Sequence, residues 1–182
     1  MSLRSNIQFP NNSLEKKKIS IQNIVLCGLF AAILLVVQVG RAALPNIELV
    51  SLLIIVYTLV FGKMTIPIIY IFALLEGLIY GFGIWWIMYL YVWTILYVIT
   101  RILKKNQSVI FWAVVGGFFG LFYGALCSIP YLIAGGIGAG IAWWIRGIPY
   151  DILHASGNFI SILLLFRPVY QSLTKLYKSQ SM

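Results

Sequence analysis

The chain has 182 residues, 62% of them hydrophobic and only 9% charged, with a formal net charge of +9. A water-soluble domain carries about 25% charged residues, so composition excludes that class and directs the chain to a lipid bilayer. The apolar runs are continuous and do not alternate, which excludes a β-barrel and leaves spanning helices of about 20 residues. Nucleic-acid binding is excluded as well, because the basic residues gather at the ends of apolar runs, as they do when they orient a membrane protein.

Residues 1–19 read as a polar, basic N-terminal tail on the cytoplasmic side. Lys16-Lys17-Lys18 leads into a full-length span and not into the short core of a cleavable signal peptide. The first span is expected over 20–39, ending before Arg41. RAALPN then turns, with Pro45 blocking helix continuation. A second span over 47–61 breaks at Phe61-Gly62-Lys63. The third covers 65–80, with Pro67 tolerated in its first turn. YGFG at 80–83 is the next break. The fourth covers 84–101 and ends at Arg101, Lys104 and Lys105. The fifth runs over 108–134 and dissolves into the glycine-rich AGGIGAG, read as a mobile loop. The sixth starts at Pro149 and ends near Pro168, before a C-terminal tail over 171–182.

The fold class expected is therefore an all-α integral membrane protein with six transmembrane helices over residues 20–170. With that count, eleven Lys and Arg lie on one side and only Arg41 and Arg146 on the other. The positive-inside rule then places both termini in the cytoplasm. Cys27 and Cys127 lie inside apolar runs and read as small buried hydrophobes, with no zinc or disulfide spacing.

Small residues recur every fourth position in two spans. Gly116, Gly120, Gly124 and Ser128 make a smooth ridge in the fifth, and Gly28 and Ala32 do so in the first. Such ridges let helices approach closely in lipid, where packing replaces the hydrophobic drive. For the fifth span the expected use is packing within the chain.

Ionisable groups in a membrane are costly and point to function. Apart from Glu15 in the tail, the acids Glu48, Glu76 and Asp151 fall near the outer ends of their spans. Arg41 and Asn46 lie close by, as do Tyr80, Trp85, Trp86, Trp143 and Trp144. Asp151, His154 and Asn158 stand at i, i+3 and i+7, on one helix face. Such a face avoids lipid. It belongs either to a polar cluster holding helices together or to a pocket open to the outside, with the glycine-rich loop as its lid. The tryptophans have a plainer reading as an interfacial aromatic belt. No catalytic set emerges: Ser156 falls on a different face from His154, and there is no HExxH and no phosphate-binding glycine loop. A non-catalytic chain is expected, without a metal and without a bound cofactor. An intramembrane enzyme using Asp151 and His154 is the alternative from a different class, and a structural membrane protein another.

Six short spans, the small-xxx-small motif Gly28-Leu29-Phe30-Ala31-Ala32 and the polar outer mouth resemble the substrate-binding S components of energy-coupling factor (ECF) transporters. The resemblance covers residues 20–170. The family motif has Ala at both ends, so Gly28 is a departure that keeps the surface smooth. The resemblance implies a vitamin-binding subunit of an ABC-type importer in a bacterial plasma membrane. It implies that Gly28 and Ala32 dock on the transmembrane coupling subunit, and that two partner ATPases use ATP that this chain does not bind. The stretches PNIELVSLLIIVYTLVFG, LLEGLIYGFGIWW and GIPYDILHASGNF look most like the cobalamin-specific type. Pantothenate, folate or a queuosine precursor are the alternative cargoes. For a corrinoid, the aromatics at 80, 85, 86, 143 and 144 would pack on the ring. Asn46, Asn158, Glu48 and Asp151 would bond its amides, and His154 would either approach cobalt or brace the wall.

Overall fold

The computed structural model describes residues 21–40 and 49–180, with side chains through Tyr177. Among these residues all regular structure is helical. The elements are α1 (Ile21–Gly40), α2 (Val50–Phe61), a 3-10 turn (Gly62–Met64), α3 (Thr65–Tyr80), α4 (Ile84–Leu103), α5 (Val109–Leu121), α6 (Tyr123–Cys127) and α7 (Ile129–Gln180). Among the described residues four stretches are long and apolar enough to cross a membrane: Ile21–Gly40, Val50–Tyr80, Ile84–Leu103 and Ile129–Tyr177; Val109–Leu121 is apolar but shorter. Large apolar side chains such as Ile21, Val25, Val36, Ile133 and Leu164 face outward. So much exposed apolar surface suits a lipid solvent.

The breaks follow from local chemistry. Gly62 (φ 60) ends α2 and Gly81 (φ 84) ends α3, a conformation that side chains with a Cβ rarely adopt. Ser108 starts α5 as an N-cap, its hydroxyl accepting from the Phe111 N–H. Inside the helices, Thr58 and Thr100 donate to the carbonyls of Ile54 and Leu96, so their hydroxyls are satisfied without a partner helix.

The stretch expected as a fifth span is helical but jointed. It passes through α5, α6 and the start of α7, with interruptions at Phe122 and Ser128. The largest departure follows it. The stretch expected to be a glycine-rich loop is helix, broken only at Gly136 (φ 79, ψ 176), and Pro149 lies inside the helix instead of starting it. At Gly136 the chain folds back. Tyr131 stacks on Trp143 at 4.8 Å, and a Cβ on Gly140 would meet the Leu132 backbone at 2.9 Å. The physical reason is the solvent. In water a run of glycines melts a helix, but in an apolar medium every bare N–H and C=O costs several kcal/mol. Helix therefore persists through the glycines, and one residue with positive φ carries the reversal. The second limb, residues 137–180, is about 66 Å long at 1.5 Å per residue. It includes residues 171–180, expected as a tail, and Tyr177 packs edge-on against Phe61 of α2.

The returning limb lies antiparallel on α5 and α6. Trp112 stacks near Phe166. Gly116 faces Asn158 and Ile162, Gly120 faces the backbone of His154 and Ala155, and Gly124 faces the Asp151 carboxylate. The glycine ridge thus packs inside the chain, as its spacing predicts, and α2 is the most enclosed element, with Val50–Thr58 wholly buried.

Candidate ligand-binding site

A cavity of about 570 Å³ opens at the end of the bundle where α4 and α6 begin. α4 supplies Trp85, Met88 and Tyr89, and α6 supplies Tyr123 and Gly124. The returning limb of α7 supplies Trp143, Arg146, Gly147, Tyr150, Asp151 and His154. These α7 positions recur every three or four residues, so one helix stripe forms a whole wall.

The aromatic walls are braced from behind. Trp85 meets Tyr89 edge-on at 5.6 Å, and Tyr89 meets Trp93 at 5.8 Å. Trp93 is fully buried and contacts Tyr123 at 5.6 Å. Gln38 of α1 donates to the Tyr89 hydroxyl at 2.9 Å. Edge-to-face pairs of this kind hold rings in place beyond simple area burial.

The polar groups are few and graded by depth. Arg146 is exposed at the rim, and His154 is half-buried with its ring 4.7 Å from Tyr123. Asp151 is only 5% exposed. Its Oδ1 accepts the Gly124 N–H at 2.9 Å, while its Oδ2 is buried without a hydrogen-bond partner among the described residues. Asp151 thus has two faces: one oxygen ties α7 to the first turn of α6, and the other belongs to a cavity-lining group. A buried carboxylate oxygen without a partner is expensive, and a ligand donor entering the cavity would remove that cost.

The expected site residues separate into four groups. Trp85, Trp143, Asp151 and His154 line the cavity. Asn158 is fully buried and structural, donating to the Ser51 hydroxyl at 3.2 Å and the Gly116 carbonyl at 3.3 Å. It joins α7 to α2 and α5 and does not reach the cavity. Glu76 is buried in α3, Tyr80 is exposed against Trp85, and Trp86 bonds the Ala73 carbonyl at 2.7 Å. Trp144 is partly exposed, on a different face of the helix from Trp143. None of these last four lines the cavity. Arg41, Asn46 and Glu48 lie outside the described residues.

Met88, Tyr89, Tyr123, Arg146 and Tyr150 line the cavity but were not among the expected site residues. The α4 and α7 members were within reach of helical spacing: Trp85, Met88 and Tyr89 share a face, as do Trp143, Arg146, Gly147 and Tyr150. That reading required residues 137–150 to be helix. Tyr123 carried no such signal, because its position depends on the break at Phe122. The glycine-rich lid is also corrected: the stretch leading to Trp143 and Trp144 is helix, and only Gly136 in it is free of helical geometry.

On α1, Gly28 is half-buried, and no atom of the described residues lies within 4 Å of where its Cβ would sit; Ala32 is exposed. With Val25, Leu29 and Val36 they form an open apolar strip. Among the described residues no group of three or more His, Cys, Asp and Glu side chains gathers as a metal site. Comparison of the chain with protein-family models, with curated proteins and with solved structures finds no match.

Proposed function

We propose that the chain is the substrate-binding S component of an ECF-type importer. In this reading it spans a bacterial plasma membrane six times, with both termini in the cytoplasm. It captures a water-soluble vitamin from outside in the cavity between α4, α6 and α7. The observation that carries the reading is the cavity itself: aromatic walls, three polar groups at graded depth and a volume within the usual range for small-molecule sites. It lies at the end away from the Lys and Arg cluster, which is the outer end by the positive-inside rule.

Cobalamin is the leading cargo, on the resemblance of the sequence. A complete cobalamin is larger than the cavity, so its corrin would seat on Trp85, Tyr89 and Trp143 with part of the molecule outside the mouth. Smaller vitamins would be enclosed. An enzymatic reading needs a nucleophile beside His154, and the geometry offers little for it. Ser156 is exposed and donates to the Ile152 carbonyl at 2.9 Å, and among the described residues no Ser, Thr or Cys lines the cavity.

The test is a binding screen of the purified protein in nanodiscs against water-soluble vitamins, read by calorimetry. Saturable binding of cobalamin at one site is expected. Firm binding of pantothenate, folate or a queuosine precursor with none of any corrinoid would reassign the cargo. Binding of no vitamin would overturn the reading.

The α1 strip supplies a separate prediction. Gly28→Phe with Ala32→Phe should leave fold and vitamin affinity unchanged, because the space a Cβ on Gly28 would enter is open among the described residues and Ala32 is exposed. Vitamin-dependent growth should fall to that of a deletion strain, since a bulky pair blocks close helix approach by the coupling subunit. Parallel loss of binding would show that the strip is not a docking surface.

A further inference from the structure

At the opposite end of the bundle lies a second cavity, of about 400 Å³. Arg101 and Lys104 reach it from the end of α4, and Arg167 reaches it from α7. Among the described residues no acidic side chain lines it. Glu76 and Asp151 are at the other end of their helices' run through the bundle, and Glu15 and Glu48 lie outside the described residues. Three cations therefore face one space to which no described carboxylate contributes.

The space is built, not incidental. The Arg101 guanidinium rests on Gly62, where a Cβ would sit 3.3 Å from Nη1. Trp112 is fully buried in the floor and donates to the Asn106 carbonyl at 3.1 Å, which holds the connection from α4 to α5 in place. Tyr170 and Gln171 complete the rim with neutral polar groups. Arg101 lies in the last turn of an apolar helix long enough to span a membrane. The cavity is therefore at headgroup depth. Ile102 and Ile110, next in the chain to the lining residues Arg101 and Val109, are strongly exposed apolar side chains, suited to acyl chains.

We propose that this cavity binds the phosphate-bearing headgroup of an anionic phospholipid. Guanidinium groups match phosphate oxygens in a planar, two-pronged geometry that an ammonium lacks. Basic pockets between helices on the cytoplasmic side are suited to such headgroups. Three cations in one cavity favour a headgroup with two phosphates over one. Free phosphate shares the chemistry but not the acyl chains, which would lie on the apolar surface alongside. The inference is independent of the solute taken by the outer cavity.

The experiment is native mass spectrometry of the full chain released from nanodiscs containing cardiolipin, phosphatidylglycerol or phosphatidylcholine. Retained lipid is expected in the order cardiolipin, phosphatidylglycerol, phosphatidylcholine. Arg101→Gln with Arg167→Gln should lower cardiolipin retention on the order of tenfold. Lys105→Gln with Lys175→Gln removes the same charge from outside the cavity and should change it little. Should the double arginine variant fold poorly, Gln171→Glu adds a repelling charge at the exposed rim and should weaken retention alone. Equal losses in the two double variants would mean diffuse surface attraction and overturn the site. Equal retention of phosphatidylcholine would overturn its anion selectivity. Displacement of cardiolipin by millimolar inorganic phosphate would reassign the cavity to the free ion.

Discussion

Gly120→Val is expected to prevent α5 from seating on the returning limb of α7. A Cβ at Gly120 would lie 2.9 Å from the Ala155 backbone nitrogen and 3.0 Å from its Cα. Backbone atoms cannot swing aside as a side-chain tip can, so the helices must separate. Overpacking costs about 1–3 kcal/mol where neighbours adjust, and here the whole contact with α7 must shift. The hydrogen bonds of Asp151 to Gly124 and of Asn158 to Gly116 flank this point and would be lost together. Thermal unfolding in detergent, followed by circular dichroism, should show a clear drop in midpoint and loss of monodisperse protein. Gly138→Ala is the matched control: no described atom lies within 4 Å of its Cβ position, and alanine favours helix over glycine by about 1 kcal/mol. Its stability should hold or rise. Equal damage at the two positions would mean that general helix effects, not close approach, explain the loss.

Asp151→Asn and Asp151→Ala should separate the two uses of that side chain. Asparagine keeps an oxygen for the Gly124 N–H and replaces the unpartnered Oδ2 by an amide. Its folded stability should stay close to that of the parent. Alanine leaves the buried Gly124 N–H without its acceptor, at a cost of about 1–3 kcal/mol. Cargo affinity should fall in both variants if the carboxylate accepts a bond from the ligand, by about tenfold or more for a charge-assisted contact. Unchanged affinity in Asp151→Asn would assign Asp151 to the helix joint alone. The paired measurements are unfolding midpoint and calorimetric affinity for the vitamin identified in the screen.

Much of the helical layout was legible in the pattern of apolar runs. α3 begins and ends where Pro67 and YGFG place it, and α1 and α4 depart from expectation by no more than two residues at an end. Gly116, Gly120 and Gly124 announced their own packing, because a four-residue repeat of small side chains has little other use in lipid. The site was legible in part. Asp151 and His154 stood out as rare ionisable groups in a greasy helix, and both line the cavity. Asn158 stood out for the same reason and proved to be a joint between helices. Spacing puts the three on one face but cannot say which neighbour that face meets at each turn.

Composition and the length of the apolar runs belong to the sequence by itself. They determine that this is an all-helical chain suited to a bilayer, because solvent preference and backbone satisfaction depend on local residues alone. Only the tertiary structure decided that AGGIGAGIAWW is a folded-back helix pair and not a loop, since that depends on the Tyr131–Trp143 and Leu132–Gly140 contacts across Gly136. The same packing decided what the stripe from Asp151 to Asn158 does. α5 and α6 lie against it in one register, so Asp151 ends half joint and half cavity wall, His154 faces Tyr123, and Asn158 is sealed between three helices.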